Sequence, residues 1–66
     1  METYDVIFND CEAGNNCGFK ESKEYCIDYI AMHNGTNFSY FSDYKGGIVS
    51  VVCNETGESV FETEIK

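Results

Sequence analysis

Residues Gly47 to Ile65 constrain this chain more than any other stretch of it. Two runs, Ile48-Val49-Ser50-Val51-Val52-Cys53 and Ser59-Val60-Phe61-Glu62-Thr63-Glu64-Ile65, are rich in the β-branched and aromatic residues that suit a half-buried pleated surface. Between them lies Asn54-Glu55-Thr56-Gly57-Glu58. Asn54 first and Gly57 fourth predict a type I turn closed by a left-handed glycine, the three-residue hairpin loop with a G1 bulge. With Asn54 paired to Glu58, Cys53 faces Ser59, Val51 faces Phe61 and Val49 faces Thr63. That face is expected to meet the core. The reverse face then carries Ile48, Ser50, Val52, Val60, Glu62 and Glu64, with Val52 directly opposite Val60. A slip of one residue would exchange the two faces.

The remaining chain supplies what a hairpin lacks. Tyr4-Asp5-Val6-Ile7-Phe8 reads as a short strand with Tyr4, Val6 and Phe8 on one side. Asn9 to Gly18, with its glycines, asparagines and acids, reads as a mobile loop. Ser22 is the expected N-cap of a helix over Lys23 to His33, stopped by Asn34-Gly35. At about 100° per residue, Ser22, Cys26, Tyr29, Ile30 and His33 share one face, with Tyr25 and Ile27 on its flanks and Asp28 pointing away. Thr36 to Gly46 fits two descriptions: an aromatic loop, or one or two helical turns capped by Asn37 that turn Phe38 and Phe41 inward together. Gly46-Gly47 then interrupts the chain before the hairpin. The expected architecture is α+β in the order β-α-β-β, a single domain over residues 1–66. One helix packs on one face of a three-stranded sheet, leaving the opposite face available.

Size and charge narrow the functional classes. A chain of 66 residues buries only about 60% of the surface its unfolded form exposes. One small core contributes roughly 3–5 kcal/mol, which leaves little room for a deep catalytic cleft and favours pairing with a partner. Twelve carboxylates stand against four lysines and no arginine, a net charge of −8. Phosphate neutralisation needs Lys and Arg, so direct nucleic-acid binding is disfavoured and a basic protein partner is favoured. No apolar run is long enough to span a membrane and no leader pattern is visible, so the chain reads as soluble and cytoplasmic.

Residue types with latent chemistry form no complete site. Cys11, Cys17, Cys26 and Cys53 lack the close pairing of structural zinc ligands. Cys26 and Cys53 fall on apolar faces as small hydrophobes, while Cys11 and Cys17 bracket a polar loop and would bridge only under oxidising conditions. Asp10 to Glu21 has the length of a calcium loop, but Gly14 and Asn15 occupy its fifth and sixth positions, where a ligand and the turn glycine belong. His33 lies two turns from Cys26, and no third group completes a nucleophilic site. Glu62 and Glu64 share an open sheet face where nothing would raise one pKa. The sequons at Asn34, Asn37 and Asn54 have no secretory signal to give them meaning. The chain reads as non-enzymatic, with no cofactor and no metal.

Gly18-Phe19-Lys20-Glu21-Ser22-Lys23-Glu24 ahead of a helix, and Val51-Val52-Cys53-Asn54-Glu55-Thr56-Gly57-Glu58-Ser59-Val60 in a terminal hairpin, resemble small acidic βαββ proteins of bacteria, their phages and mobile elements. The likeness covers nearly the whole chain. It implies the fold and a phage or mobile-element setting, and it carries no site, because most such proteins lack an assigned function. The Cys11–Cys17 loop and the Phe38–Tyr44 segment depart from the shortest versions of the pattern.

Two surfaces are binding candidates. Asn34–Tyr44 has the composition of an adaptable recognition loop, with Tyr40 and Tyr44 as its anchors. The reverse sheet face offers Val52 and Val60 rimmed by Glu62, Glu64 and Ser50. The leading expectation is a protein-binding or accessory module, in its specific form an inhibitor offering carboxylates to a basic partner. The alternatives are a structural homodimer and a thiol-redox or metal-binding small protein.

Overall fold

The computed structural model describes residues 2–10 and 13–66. It contains β1 (Tyr4–Asn9), β2 (Gly14–Asn16), α1 (Lys23–His33), α2 (Tyr40–Asp43), β3 (Ile48–Cys53) and β4 (Ser59–Glu64). The four strands form one antiparallel sheet in the order β2-β1-β3-β4. The α+β class is as expected, but the sheet gains a strand and the order is not β-α-β-β. The added strand arises inside the stretch read as a loop. Asp10 Oδ1 accepts from the Ala13 N–H at 2.7 Å and the Asp10 N–H donates to the Ala13 carbonyl at 2.9 Å, which reverses the chain. Gly14-Asn15-Asn16 has no intrinsic strand preference. Pairing with the exposed edge of β1 (Phe8 opposite Asn15) makes it a strand. The chain stays beside β1 beyond β2, with the Cys17 N–H on the Val6 carbonyl and a two-way pairing of Glu21 with Tyr4.

Helix α1 starts where its cap predicts: Ser22 Oγ accepts from the Tyr25 N–H at 3.1 Å. It ends at Asn34, whose N–H reaches the Ile30 carbonyl. Cys26 and Ile30 are fully inside and pack on Val6, Phe8, Val49 and Val51 of the sheet, with Phe41 and Ile65 closing the core. The expected pairs Val49–Thr63 and Val51–Phe61 are present.

Near the turn the expected register fails. Gly57 does adopt left-handed backbone (φ 76°), but four residues, Asn54–Gly57, lie between Cys53 and Glu58. The Cys53 N–H donates to the Glu58 carbonyl (2.9 Å) and the Gly57 N–H to the Cys53 carbonyl (2.8 Å). Ser59 therefore lies opposite Val52 instead of Cys53, and a bulge absorbs the extra residue, Val60. Val52 and Val60 do not face each other.

The ambiguous segment is a single helical turn. Positive φ at Asn37 (62°) and Ser39 (51°) delays α2 to Tyr40, and Ser39, not Asn37, occupies the cap position. Phe41 is wholly buried against Phe8, ring centroids 4.8 Å apart and edge-on, whereas Phe38 stays outside. Gly47 then passes so close to β1 that a Cβ would lie 2.3 Å from the Asn9 carbonyl oxygen. Only glycine fits there.

Candidate interaction surfaces

Pairing across the sheet places Asp5, Ile7 and Asn9 of β1 with Val52, Ser50 and Ile48 of β3, and then with Ser59, Glu62 and Glu64 of β4. These rows form the face away from α1. Ile7 and Val52 are half-buried and Ile48 is 42% exposed. An apolar strip thus crosses the face and is bordered by Glu62 and Glu64, with Ser50 Oγ 3.4 Å from Glu62 Oε2. Of the residues singled out from sequence, Val52, Glu62 and Glu64 come together here. Val60 sits in the bulge instead, 38% exposed, and its place in the apolar strip is taken by Ile7, whose strand was not paired to this face in the sequence reading.

One carboxylate on this side is structural. Asp5 is buried and its Oδ1 accepts from the Lys20 N–H at 2.9 Å, where Lys20 turns left-handed (φ 53°) to aim that group inward. Burial pushes the Asp5 carboxyl up, but the Lys20 N–H, the Asn54 and Asn16 amides and the Lys20 charge together outweigh it, and its pKa lies below the ordinary carboxylate value. Asp5 is ionised at neutral pH and holds the β1 edge to the segment leading into α1.

Tyr40 and Tyr44 are half-buried over the core. Their rings lie 5.6 and 6.1 Å from Phe8 and 6.1 Å from each other. The position of α2 on the core directs them there. A different aromatic surface runs along α1. Tyr25, Tyr29 and His33, four residues apart, form a file flanked by Phe19 at one end and Phe38 at the other. Phe19 meets Tyr29 edge-on at 4.8 Å, Tyr29 meets His33 at 4.8 Å, and His33 stacks on Phe38 at 4.1 Å and 17°. Tyr25 and Phe38 are about half exposed and Met32 more so. The i, i+4, i+8 spacing is the signal for this file; Tyr29 also packs against the core, as its place on the face of Cys26 and Ile30 predicts. His33 leans on Phe38 at the surface and does not share the core with Cys26.

Cys26 and Cys17 lack the environment of nucleophiles. Cys26 is buried, its Sγ 3.5 Å from the Tyr4 carbonyl oxygen, and burial, then the negative charges of Asp5 and Glu21, push its pKa to about 11. Burial, then Asp5, also raises Cys17. The Cys11–Cys17 bridge considered from sequence involves a residue outside the described ones. Among the described residues no three His, Cys, Asp or Glu side chains are grouped to hold a metal. No helix of the described residues is long and apolar enough to cross a membrane.

A cleft of about 250 Å³ opens between α1 and β4, lined by Ile27, Ala31, Phe61 and Thr63 and closed at one end by Asn34 and Lys66. The Asn34 side chain makes that closure. Its Nδ2 donates to the Glu64 carbonyl (3.0 Å) and its Oδ1 accepts from the Lys66 N–H (2.9 Å), as a paired strand residue would. No family model, curated protein or solved structure matches this chain.

Proposed function

We propose that this chain is a non-enzymatic protein-binding module that presents an acidic sheet face to a basic partner, in the manner of a phage or mobile-element inhibitor acting in a bacterial cytoplasm. The observation that carries the proposal is the apolar strip of Ile7, Ile48 and Val52 bordered by Glu62 and Glu64. An apolar centre with a charged rim is how non-obligate interfaces are organised. Glu62 and Glu64 stand roughly 7 Å apart along the strand, a spacing that permits each carboxylate to meet its own cation on an opposing surface. Carboxylates in place of lysines and arginines make phosphate an unfavourable ligand.

The test is capture of a partner from the native host by the wild-type chain and by a Glu62→Lys, Glu64→Lys double variant, at low and moderate salt. The proposal expects one protein retained by wild type, weakened by salt and lost with the double variant. Retention indifferent to both salt and charge reversal would refute it. A homodimer built on the same face would have to bring these glutamates near their own copies. Sedimentation of the wild type measures that alternative directly.

A further inference from the structure

We infer that the partner's docking element is an extended segment, with Lys or Arg alternating with aliphatic residues, that adds as a strand to the outer edge of β4; this deepens the acidic-face reading and rests on it.

Three observations converge on that edge. First, β4 ends the sheet, with no strand on its outer side among the described residues. The Ile65 N–H donates to the Gly47 carbonyl and the Glu58 carbonyl accepts from the Cys53 N–H. Antiparallel alternation then turns the Phe61 and Thr63 backbone toward β3 and the Glu62 and Glu64 backbone outward. The Asn34 amide, already seated on the Glu64 carbonyl and the Lys66 N–H, confirms that direction and closes the far end. What stays open runs from the Val60 bulge through Glu62, a short docking edge with a fixed stop.

Second, the cleft between α1 and β4 lies directly beside this edge. A strand laid along β4 alternates its side chains between the two sheet faces. Those on the α1 side enter the cleft beside Phe61, Ile27 and Ala31, where an aliphatic group finds apolar contact and a cation would meet Lys66 instead of a carboxylate. Those on the other side stand next to Glu62 and Glu64. Alternating aliphatic and basic residues are therefore what this edge selects, with main-chain hydrogen bonds supplying affinity.

Third, charge separates the occupants. A second copy pairing its own β4 here would set Glu62 or Glu64 against the same residues on one face, and directly opposed like charges are destabilising. A basic strand makes the opposite pairing. The carboxylates thus protect the edge from self-association while leaving it open to a cationic segment.

The probe is a short, end-blocked peptide of alternating lysine and valine, titrated into the 15N-labelled full chain. Saturable binding is expected, with amide shifts concentrated at Val60–Glu64 and at Ile27 and Ala31. N-methylation of the peptide amides that face β4 should abolish it, because each methyl removes a donor and obstructs the edge. Glu62→Lys, whose side chain is exposed, should weaken binding about tenfold without altering the circular dichroism spectrum. Equal binding by the methylated peptide, or shifts centred on Ile7 and Ile48, would overturn the edge assignment and leave the acidic-face reading standing. Absence of peptide binding would overturn it too; charge-dependent capture of the host partner then decides whether the broader reading survives. Dilution-dependent shifts at Val60–Glu64 in the protein alone would identify a second copy as the occupant and refute the proposal.

Discussion

Asn34→Ala removes a clamp that joins the end of the helix to the end of the sheet. The side chain makes two hydrogen bonds, Nδ2 to the Glu64 carbonyl at 3.0 Å and Oδ1 from the Lys66 N–H at 2.9 Å, both at the surface. Each is a neutral bond with a net contribution of about 0.5–1.5 kcal/mol. Water can replace the lost partners at exposed groups, so the lower half of that range applies and the pair contributes about 1–2 kcal/mol. Ile65, fully buried between the two clamped residues, adds a cooperative component if the chain end loosens. Against a total stability of roughly 3–5 kcal/mol the loss is large. It corresponds to a fall in Tm of roughly 5–15 °C for a domain of this size. Far-UV circular dichroism in a urea series measures it, since the chain has no tryptophan. Amide exchange at Gly46, Ile65 and Lys66 locates it. Asn34→Asp separates the two bonds, because a carboxylate still accepts from the Lys66 N–H but turns an oxygen toward the Glu64 carbonyl. It should be at least as destabilising as alanine. An Asn34→Ala midpoint within about 0.3 kcal/mol of wild type, with unchanged protection at Lys66, would show that the clamp contributes nothing.

Two further expectations concern ionisation. The folded-state pKa of Asp5 lies below its ordinary value of 3.8, so its contribution is fully present above that value and is lost as pH falls through the folded pKa; the stability gap between wild type and Asp5→Asn should narrow in acid, and a gap constant from neutral pH downward would contradict it. The Cys26 pKa is raised from 9.0 to about 11, so the stabilisation is complete below about 9 and disappears as pH rises toward about 11; at pH 8 a maleimide should modify half-buried Cys17 well before Cys26, and equal rates would refute the burial argument.

Local chemistry made some of this structure legible in advance. Ser22 caps and Asn34-Gly35 ends the helix through interactions within a few residues, so its limits could be read directly. The pairs Val49–Thr63 and Val51–Phe61 are those that alternation predicts, and they stand because the bulge at Val60 offsets the longer turn. Features set by distant partners could not be read in that way. Gly14-Asn15-Asn16 is a strand only because β1 has an edge to pair with, and the loop of Asn54–Gly57 takes one residue more than a G1-bulge turn, which moved the bulge to Val60. The candidate surface was legible in its carboxylates. Its apolar strip was not, because Ile7 joins it only through the β1–β3 pairing.

The close passage of Gly47 over the Asn9 carbonyl has a bearing on descent. While β1 and β3 keep this register, position 47 cannot accept a side chain, however freely the apolar residues around it are exchanged for one another. The Asn34 clamp sets a second, separate requirement between a helix end and the last residues of the chain. A distant descendant could therefore lose every resemblance in its core and still be known by a glycine and an asparagine standing where the geometry requires them.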